Sequence, residues 1–228
     1  MTAMREVYKL KWLFFIMQLT SELAEIIGAL IGDGYIYNKN HKYQIGFVGH
    51  PNNDNLYYKK LKKLIFRVWM KNPKIRIRER GLRMVINSKE IVSTLSNSFN
   101  IPCGINKCFN VVIPSQIYFR WDLLKFTLRG IVDTDGSVFV SKKPGVLNYP
   151  SIEITTSSLN LANQIKLALI KKGFKVPKIW SYKSKNLTYK VALNGQKNLE
   201  KWVNEIGFSN PYKLNRAKKY LKYGKRGS

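Results

Sequence analysis

At 228 residues and 45% hydrophobic content, the chain is long enough for one large domain or two small ones with a sizeable core. Forty Lys and Arg against thirteen Asp and Glu give a formal charge of +27, far more than solubility needs and enough to attract polyanions. The apolar run Trp12 to Met17 is too short to span a bilayer and lacks a small-residue cleavage site. No membrane span or signal peptide is read there, and an intracellular location with a nucleic-acid partner is expected.

The first predicted helix opens near Ser21 and Glu22 and carries IIGALIGDG from Ile26 to Gly34. Two short strands follow, Tyr35 to Tyr37 and Gln44 to Val48, then a helical pattern over roughly 53–70. The alternation Ile75, Arg76, Ile77, Arg78 predicts a strand with isoleucines inward and arginines outward, joined through Arg80-Gly81 to a partner from Leu82 to Ile86. Asn87-Ser88 then opens a helix with Val92, Leu95 and Phe99 on one face. From Lys59 to Arg83 eleven cations face one acid, Glu79, a clustering that points to phosphate contacts.

Pro102 to Gln116 reads as a connector. Its thiols, Cys103 and Cys108, have no second Cys or His pair at metal-ligand spacing, so zinc is not expected and reduced thiols are. A helix with Asp122 near its start then brings LRGIVDTDG, Leu128 to Gly136, which is the first segment repeated after 102 residues. The same series follows: strands Ser137 to Ser141 and Ser151 to Thr156, a helix over 158–172, strands Lys178 to Tyr182 and Leu187 to Leu193. Asn194-Gly195 opens a last helix with Leu199, Trp202, Val203 and Ile206. No acid appears after Glu205, although Lys213, Arg216 and Lys218 follow, and a frayed basic tail is expected beyond Tyr223.

Helix, two strands, helix, two strands, helix is thus written twice. The prediction is an α+β protein built from a duplicated αββαββα unit about a pseudo-twofold axis, with halves at 1–103 and 121–228 and a linker at 104–120. Gly28 and Gly32 share one face of the first motif helix, with Gly130 and Thr134 matching them in the second, so the two helices can pack with backbones nearly touching.

Asp33 and Asp135 fall at the negative ends of those helices, where a carboxylate costs about 0.3–1 kcal/mol. A local rule broken twice in equivalent places marks function. Gly34 and Gly136 are expected to take the left-handed conformation that ends a helix. Two carboxylates meeting at the foot of the axis repel unless a cation lies between them. Oxygen ligands and a phosphate substrate suit Mg²⁺, with the backbone carbonyls of Gly32 and Thr134 completing part of the shell. Asp133, whose counterpart is Ile31, is expected to form hydrogen bonds at the helix end.

The two nonapeptides resemble the LAGLIDADG motif; LRGIVDTDG keeps its Leu, Gly, both Asp and final Gly, whereas Ile31 and Gly32 depart from Asp and Ala in the first copy. With the repeated element order, the resemblance to single-chain LAGLIDADG homing endonucleases runs from about Ser21 to Tyr223. It implies two antiparallel sheets forming a DNA-binding saddle, the motif helices packed at the centre, and metal held by Asp33 and Asp135.

It also implies polar or basic groups around that centre, for which Lys190, Arg83 and His50 are the candidates. Outward positions for reading DNA are Gln44, Arg76, Arg78 and Arg80 in the first half, with Lys178, Tyr182 and Lys183 in the second. Mg²⁺ is the expected cofactor, with Mn²⁺ able to substitute and Ca²⁺ supporting binding without cleavage. The expected activity is a staggered double-strand break in a long, non-palindromic site, made by a monomer encoded in an intron or similar mobile element. An RNA-splicing maturase acting on host intron RNA and a non-cleaving DNA-binding regulator are the alternatives on the same scaffold.

Overall fold

In the computed structural model residues 19–78, 81–104, 106–183 and 186–224 are described, without the side chains of 142, 147, 223 and 224. Arg80, expected on the DNA-facing surface, lies outside the described residues. The first motif helix, α1 (Ser21–Ile31), is capped by Thr20, whose side chain accepts the Leu23 N–H at 3.2 Å. Leu23 to Ile31 are all buried, Glu25 among them, as expected of a largely apolar helix enclosed on every side.

A hairpin follows, β1 (Gly34–Lys39) and β2 (Lys42–Gly49), then α2 (Asn55–Trp69), a second hairpin β3 (Ile75–Arg78) and β4 (Gly81–Asn87), and α3 (Lys89–Asn97). Ser88 caps α3, as the Asn-Ser pair predicts. After the one-turn helices α4 (Lys107–Asn110) and α5 (Ser115–Tyr118), the second half repeats the order. It runs α6 (Trp121–Asp135), β5 (Gly136–Lys143), β6 (Val146–Thr156), α7 (Leu159–Lys171), β7 (Trp180–Lys183), β8 (Leu187–Asn194) and α8 (Gln196–Glu205). A final helix, α9 (Pro211–Gly224), occupies a stretch read from sequence only as basic chain.

Each half is a four-stranded antiparallel sheet, in the orders β1-β2-β4-β3 and β5-β6-β8-β7. Alternation sorts the faces: Leu82, Met84 and Ile86 of β4 are buried, while Arg83, Val85 and Asn87 point away. The β3 pattern holds less well, because Ile77 is 66% exposed on an edge strand beside its hairpin turn, where only β4 pairs with it. β7 likewise starts two residues later than predicted: Lys178 precedes it, after Pro177, which has no N–H to donate to a ladder.

α1 and α6 pack against each other as closely as backbones allow. A Cβ on Gly28 would lie 2.1 Å from the Thr127 carbonyl oxygen, and one on Gly130 would lie 2.4 Å from the Glu25 carbonyl oxygen. The Thr127 hydroxyl donates to the Ala24 carbonyl at 2.9 Å, so the seam is also hydrogen-bonded. Gly34 and Gly136 are needed for space, not for a left-handed turn. Gly136 is extended at φ −81°, and side chains there would strike Leu30 and Val132 of the preceding turns at 2.5 and 2.6 Å. The helices end straight into strands, and the glycines let each strand leave across its own helix.

Cys103 and Cys108 are not joined in a disulfide, and both are exposed where packed thiols are the default for reduced cysteines. Among the described residues no helix is long and apolar enough to cross a membrane.

Candidate functional site

The packed helices bring Asp33 and Asp135 into hydrogen-bonding contact at the floor between the two sheets. Desolvation first, and then the charge of Asp135, push the Asp33 carboxyl up to about 8. Desolvation also raises Asp135, while its hydrogen bond with Asp33 and the ammonium groups of Lys107 and Lys213 oppose the rise. Protein crowds the pair from several sides, yet Asp135 keeps solvent-exposed surface, so water screens part of the repulsion. Without a cation between them, the two carboxyls favour retaining a proton.

Two lysines that sequence reading did not single out approach this pair. Lys107 of α4 is buried, and its ammonium donates to the carbonyls of Leu30 at 2.6 Å, Gly32 at 3.0 Å and Gly34. Lys213 of α9 is buried against the other motif helix and donates to the carbonyls of Val132 at 2.7 Å and Thr134 at 2.9 Å. Leu30 and Gly32 correspond to Val132 and Thr134 across the repeat, so the lysines are pseudo-symmetric mates. Each satisfies carbonyls that a helix C-terminus leaves orphaned and sets a positive charge on the negative end of a dipole. Burial lowers both ammonium groups, Lys107 to about 8, while the aspartates pull the other way. Lys107 belongs to the stretch read as a connector and Lys213 to the stretch read as basic chain, so neither had a local pattern to mark it.

Lys107→Met and Lys213→Met each strand buried carbonyls. Each is expected to lower stability by about 1–3 kcal/mol, measured by denaturant unfolding.

Arg83 on β4 and Lys190 on β8 stand at equivalent places on the outer sheet faces. Lys190 pairs with Glu153 at 2.7 Å and lies over the rings of Trp180 and Tyr182. Arg83 lines a groove with Tyr35, Gln44, Arg76, Arg78 and Asn87. The charges that act on the aspartates are those of Lys107 and Lys213, joined at Asp33 by Asp54.

His50 does reach the site's edge: it lines a cavity of ≈ 400 Å³ with Thr134, Ser137, Tyr212, Lys213 and Arg216. Its Nδ1 accepts the N–H groups of Asn52 and Asn53 at 3.2 and 3.3 Å, which leaves Nε2 as the atom able to meet a ligand.

Asp133 is fully buried and accepts the Ser209 N–H at 2.6 Å, the hydrogen-bonding role its position suggests. Desolvation, opposed by Lys213 and Ser209, carries its carboxyl up to about 7. Asn210 ties the halves together, donating to Asp54 at 2.9 Å and to the Asp133 carbonyl at 3.3 Å.

Among the described residues no three His, Cys, Asp or Glu side chains gather into a metal cluster. The donor set is two carboxylates, with the carbonyls of Gly32 and Thr134 each keeping one lone pair beyond the bond accepted from Lys107 or Lys213, all oxygen, which suits a hard divalent cation completed by phosphate and water. Desolvation and mutual repulsion both push the Asp33 carboxyl upward, and a cation between the two carboxylates would relieve the repulsion.

The outward sheet faces carry the expected polar groups. Gln44 is held by Tyr35, which donates to it at 3.3 Å, and donates in turn to Asn87 at 3.0 Å, so its amide is oriented before any ligand arrives. Arg76, Arg78, Lys178, Tyr182 and Lys183 are solvent-exposed.

Residues 123–207 match the LAGLIDADG-like domain family. The chain is 30% identical over 210 residues to a replication factor C small subunit of Thermococcus kodakarensis, and 28% identical over 207 residues to one of Methanocaldococcus jannaschii. Each match takes in 88% of this chain but only 21% and 10% of those proteins, so the chain spans about a fifth or less of their length. The fold is similar to I-DmoI in complex with DNA and Mn, at 14% identity and TM-score 0.59, covering 83% of this chain and 98% of that one. I-WcaI bound to its DNA recognition sequence aligns at 16% identity and TM-score 0.58, over 89% and 87%. The I-LtrWI LAGLIDADG homing endonuclease bound to target DNA aligns at 13% identity and TM-score 0.56, over 91% of each.

Proposed function

We propose that this chain, which has a LAGLIDADG-like domain and the two-half fold of single-chain LAGLIDADG homing endonucleases, is a DNA endonuclease making a staggered double-strand break in a long, non-palindromic site. The observation that carries the reading is the hydrogen-bonded contact of Asp33 and Asp135 beneath two sheets whose outward faces are polar and basic. The halves differ at nearly every outward position, so one chain reads an asymmetric sequence. The formal charge of +27 supplies affinity for phosphates that weakens steeply with salt.

Asp33 and Asp135, with the carbonyls of Gly32 and Thr134, would hold divalent metal, Mg²⁺ by preference and Mn²⁺ in its place. When bound, that metal supplies charge stabilisation at the phosphate and an acidified water. Hydrolysis places a water oxygen on phosphorus as one phosphorus–ester oxygen bond breaks, and the water's proton ends on the departing alkoxide. Lys107 and Lys213 keep the helix ends in place and hold positive charge beside both carboxylates, favouring their ionised form as negative charge builds on the phosphate. His50 Nε2 is placed to orient water or phosphate in the cavity beside Lys213. Arg83 and Lys190 we assign to the DNA surface with Gln44, Arg76, Arg78, Lys178, Tyr182 and Lys183.

The test is a randomised duplex library incubated with the protein and Mg²⁺, followed by sequencing of the ends. Recovery of staggered breaks within one long, asymmetric sequence is expected. A library left intact in both Mg²⁺ and Mn²⁺ overturns the assignment.

A further inference from the structure

Two cavities lie one beside each buried lysine: Asp135 itself lines the one at Lys107, its neighbours Thr134 and Gly136 line the one at Lys213, and the two differ. The cavity at Lys107, ≈ 170 Å³, is walled by Cys108, Val111, Thr155, Thr156, Ser157 and Thr188 together with Asp135. Beyond Lys107 its polar side chains are chiefly neutral hydroxyls. The cavity at Lys213 contains His50, Asp54, Tyr212 and a second fixed cation, Arg216.

The difference lies in the residue three beyond each lysine. Beyond Lys107 it is Asn110, the last residue of the single turn α4, which is exposed and turned back to donate to the Asn106 carbonyl at 3.2 Å. Beyond Lys213 it is Arg216, on the next turn of the 14-residue α9.

Arg216 is held firmly. Its Nη1 donates to the Tyr212 hydroxyl at 2.8 Å, and its Nε and Nη2 donate to the Tyr220 hydroxyl at 3.2 and 3.0 Å. The guanidinium also lies 5.5 and 5.8 Å from the centres of those two rings. The phenols use three of its five N–H groups and leave donors in a planar fork, the geometry that matches two phosphate oxygens. An arginine clamped by neutral phenols keeps its full charge while losing the mobility of a surface side chain, so little ordering remains to be done when an anion binds.

We propose that Arg216 contacts the scissile phosphate of one DNA strand only, so that the two strands are cut by chemically unequal centres. The inference rests on the nuclease reading above and deepens it. One strand is cleaved with Lys213, Arg216 and His50 around its phosphate, the other with Lys107 and a wall of hydroxyls.

The test uses a duplex carrying the sequence recovered from the library, labelled separately on each strand, with the wild type, Arg216→Gln, Arg216→Lys and Tyr212→Phe. Wild type is expected to cut both strands. Arg216→Gln is expected to slow one strand by about tenfold to a hundredfold, the loss of one charge-assisted contact, and to accumulate nicked duplex. Arg216→Lys restores part of the rate on that strand, and Tyr212→Phe, which loosens the clamp, costs less on the same strand. As a readout independent of cleavage, phosphate ethylation interference in Ca²⁺ loses its signal at a single phosphate in Arg216→Gln. Equal slowing of both strands, or of neither, with an active wild type overturns the role of Arg216 and leaves the nuclease reading standing. A wild type that cuts neither strand overturns both.

Discussion

Asp33→Asn and Asp135→Asn are each expected to reduce double-strand cleavage by at least about 10³-fold, because an amide cannot replace a carboxylate where two must jointly hold a cation. Binding to the same duplex in Ca²⁺ should change little, since the sheet faces that read DNA are untouched. Gel shifts and strand-resolved cleavage on one DNA check both halves of the expectation; normal cutting by both variants would remove the aspartates from the chemistry.

The same carboxyl pair sets a pH dependence in metal-free protein. Asp33 is raised to about 8 in the folded state, whereas in an unfolded chain it titrates near about 4. Between those values the folded protein holds a proton that the unfolded chain has released. The contribution is therefore present in full below about pH 4 and is lost as the pH rises through about 8. Melting temperature without metal should fall across that window, and Asp33→Asn, which cannot ionise, should flatten the fall.

Gly28→Ala and Gly130→Ala carry the second large effect. Their added methyl groups would sit 2.1 and 2.4 Å from backbone oxygens of the facing helix, neither of which can turn aside. Overpacking typically costs about 1–3 kcal/mol, and these sites belong at or above the upper end because relief requires the helices to separate. Separation also pulls Asp33 from Asp135, and a misplacement of about 1 Å can cost about 10²-fold in rate. Gly32→Ala is the internal comparison. Its methyl would meet the Thr134 hydroxyl at 2.1 Å, a side-chain atom that can rotate, so a smaller stability loss is expected. Unfolding titrations of the three variants decide the matter. Alanine at Gly28 or Gly130 costing under about 1 kcal/mol would contradict so close a seam.

The contrast between Lys190 and Lys213 shows where reading a chain without its structure stops. Both are lysines in a basic protein, and the strand position of Lys190 made it the better candidate. In the fold Lys190 pairs with Glu153 and the aromatic rings, and Lys213 is buried against the carbonyls of α6. That Lys213 comes beside the aspartates depends on how α9 crosses α6, and no residue of either helix encodes that crossing locally.

By itself the sequence determined the duplication, the element order within each half, the small residues on the motif helices and the two aspartates, because period, charge balance and repeated spacing are properties of neighbours along a chain. The tertiary structure alone decided that Gly34 and Gly136 are there for clearance, that Lys107 and Lys213 complete the site, and that an arginine stands on one side of it and an asparagine on the other. The glycine clearance follows from the angle at which each strand leaves its helix, and the lysines' roles depend on contacts across 77 and 81 positions of the chain, distances that close only when the cores of both halves bring the elements together.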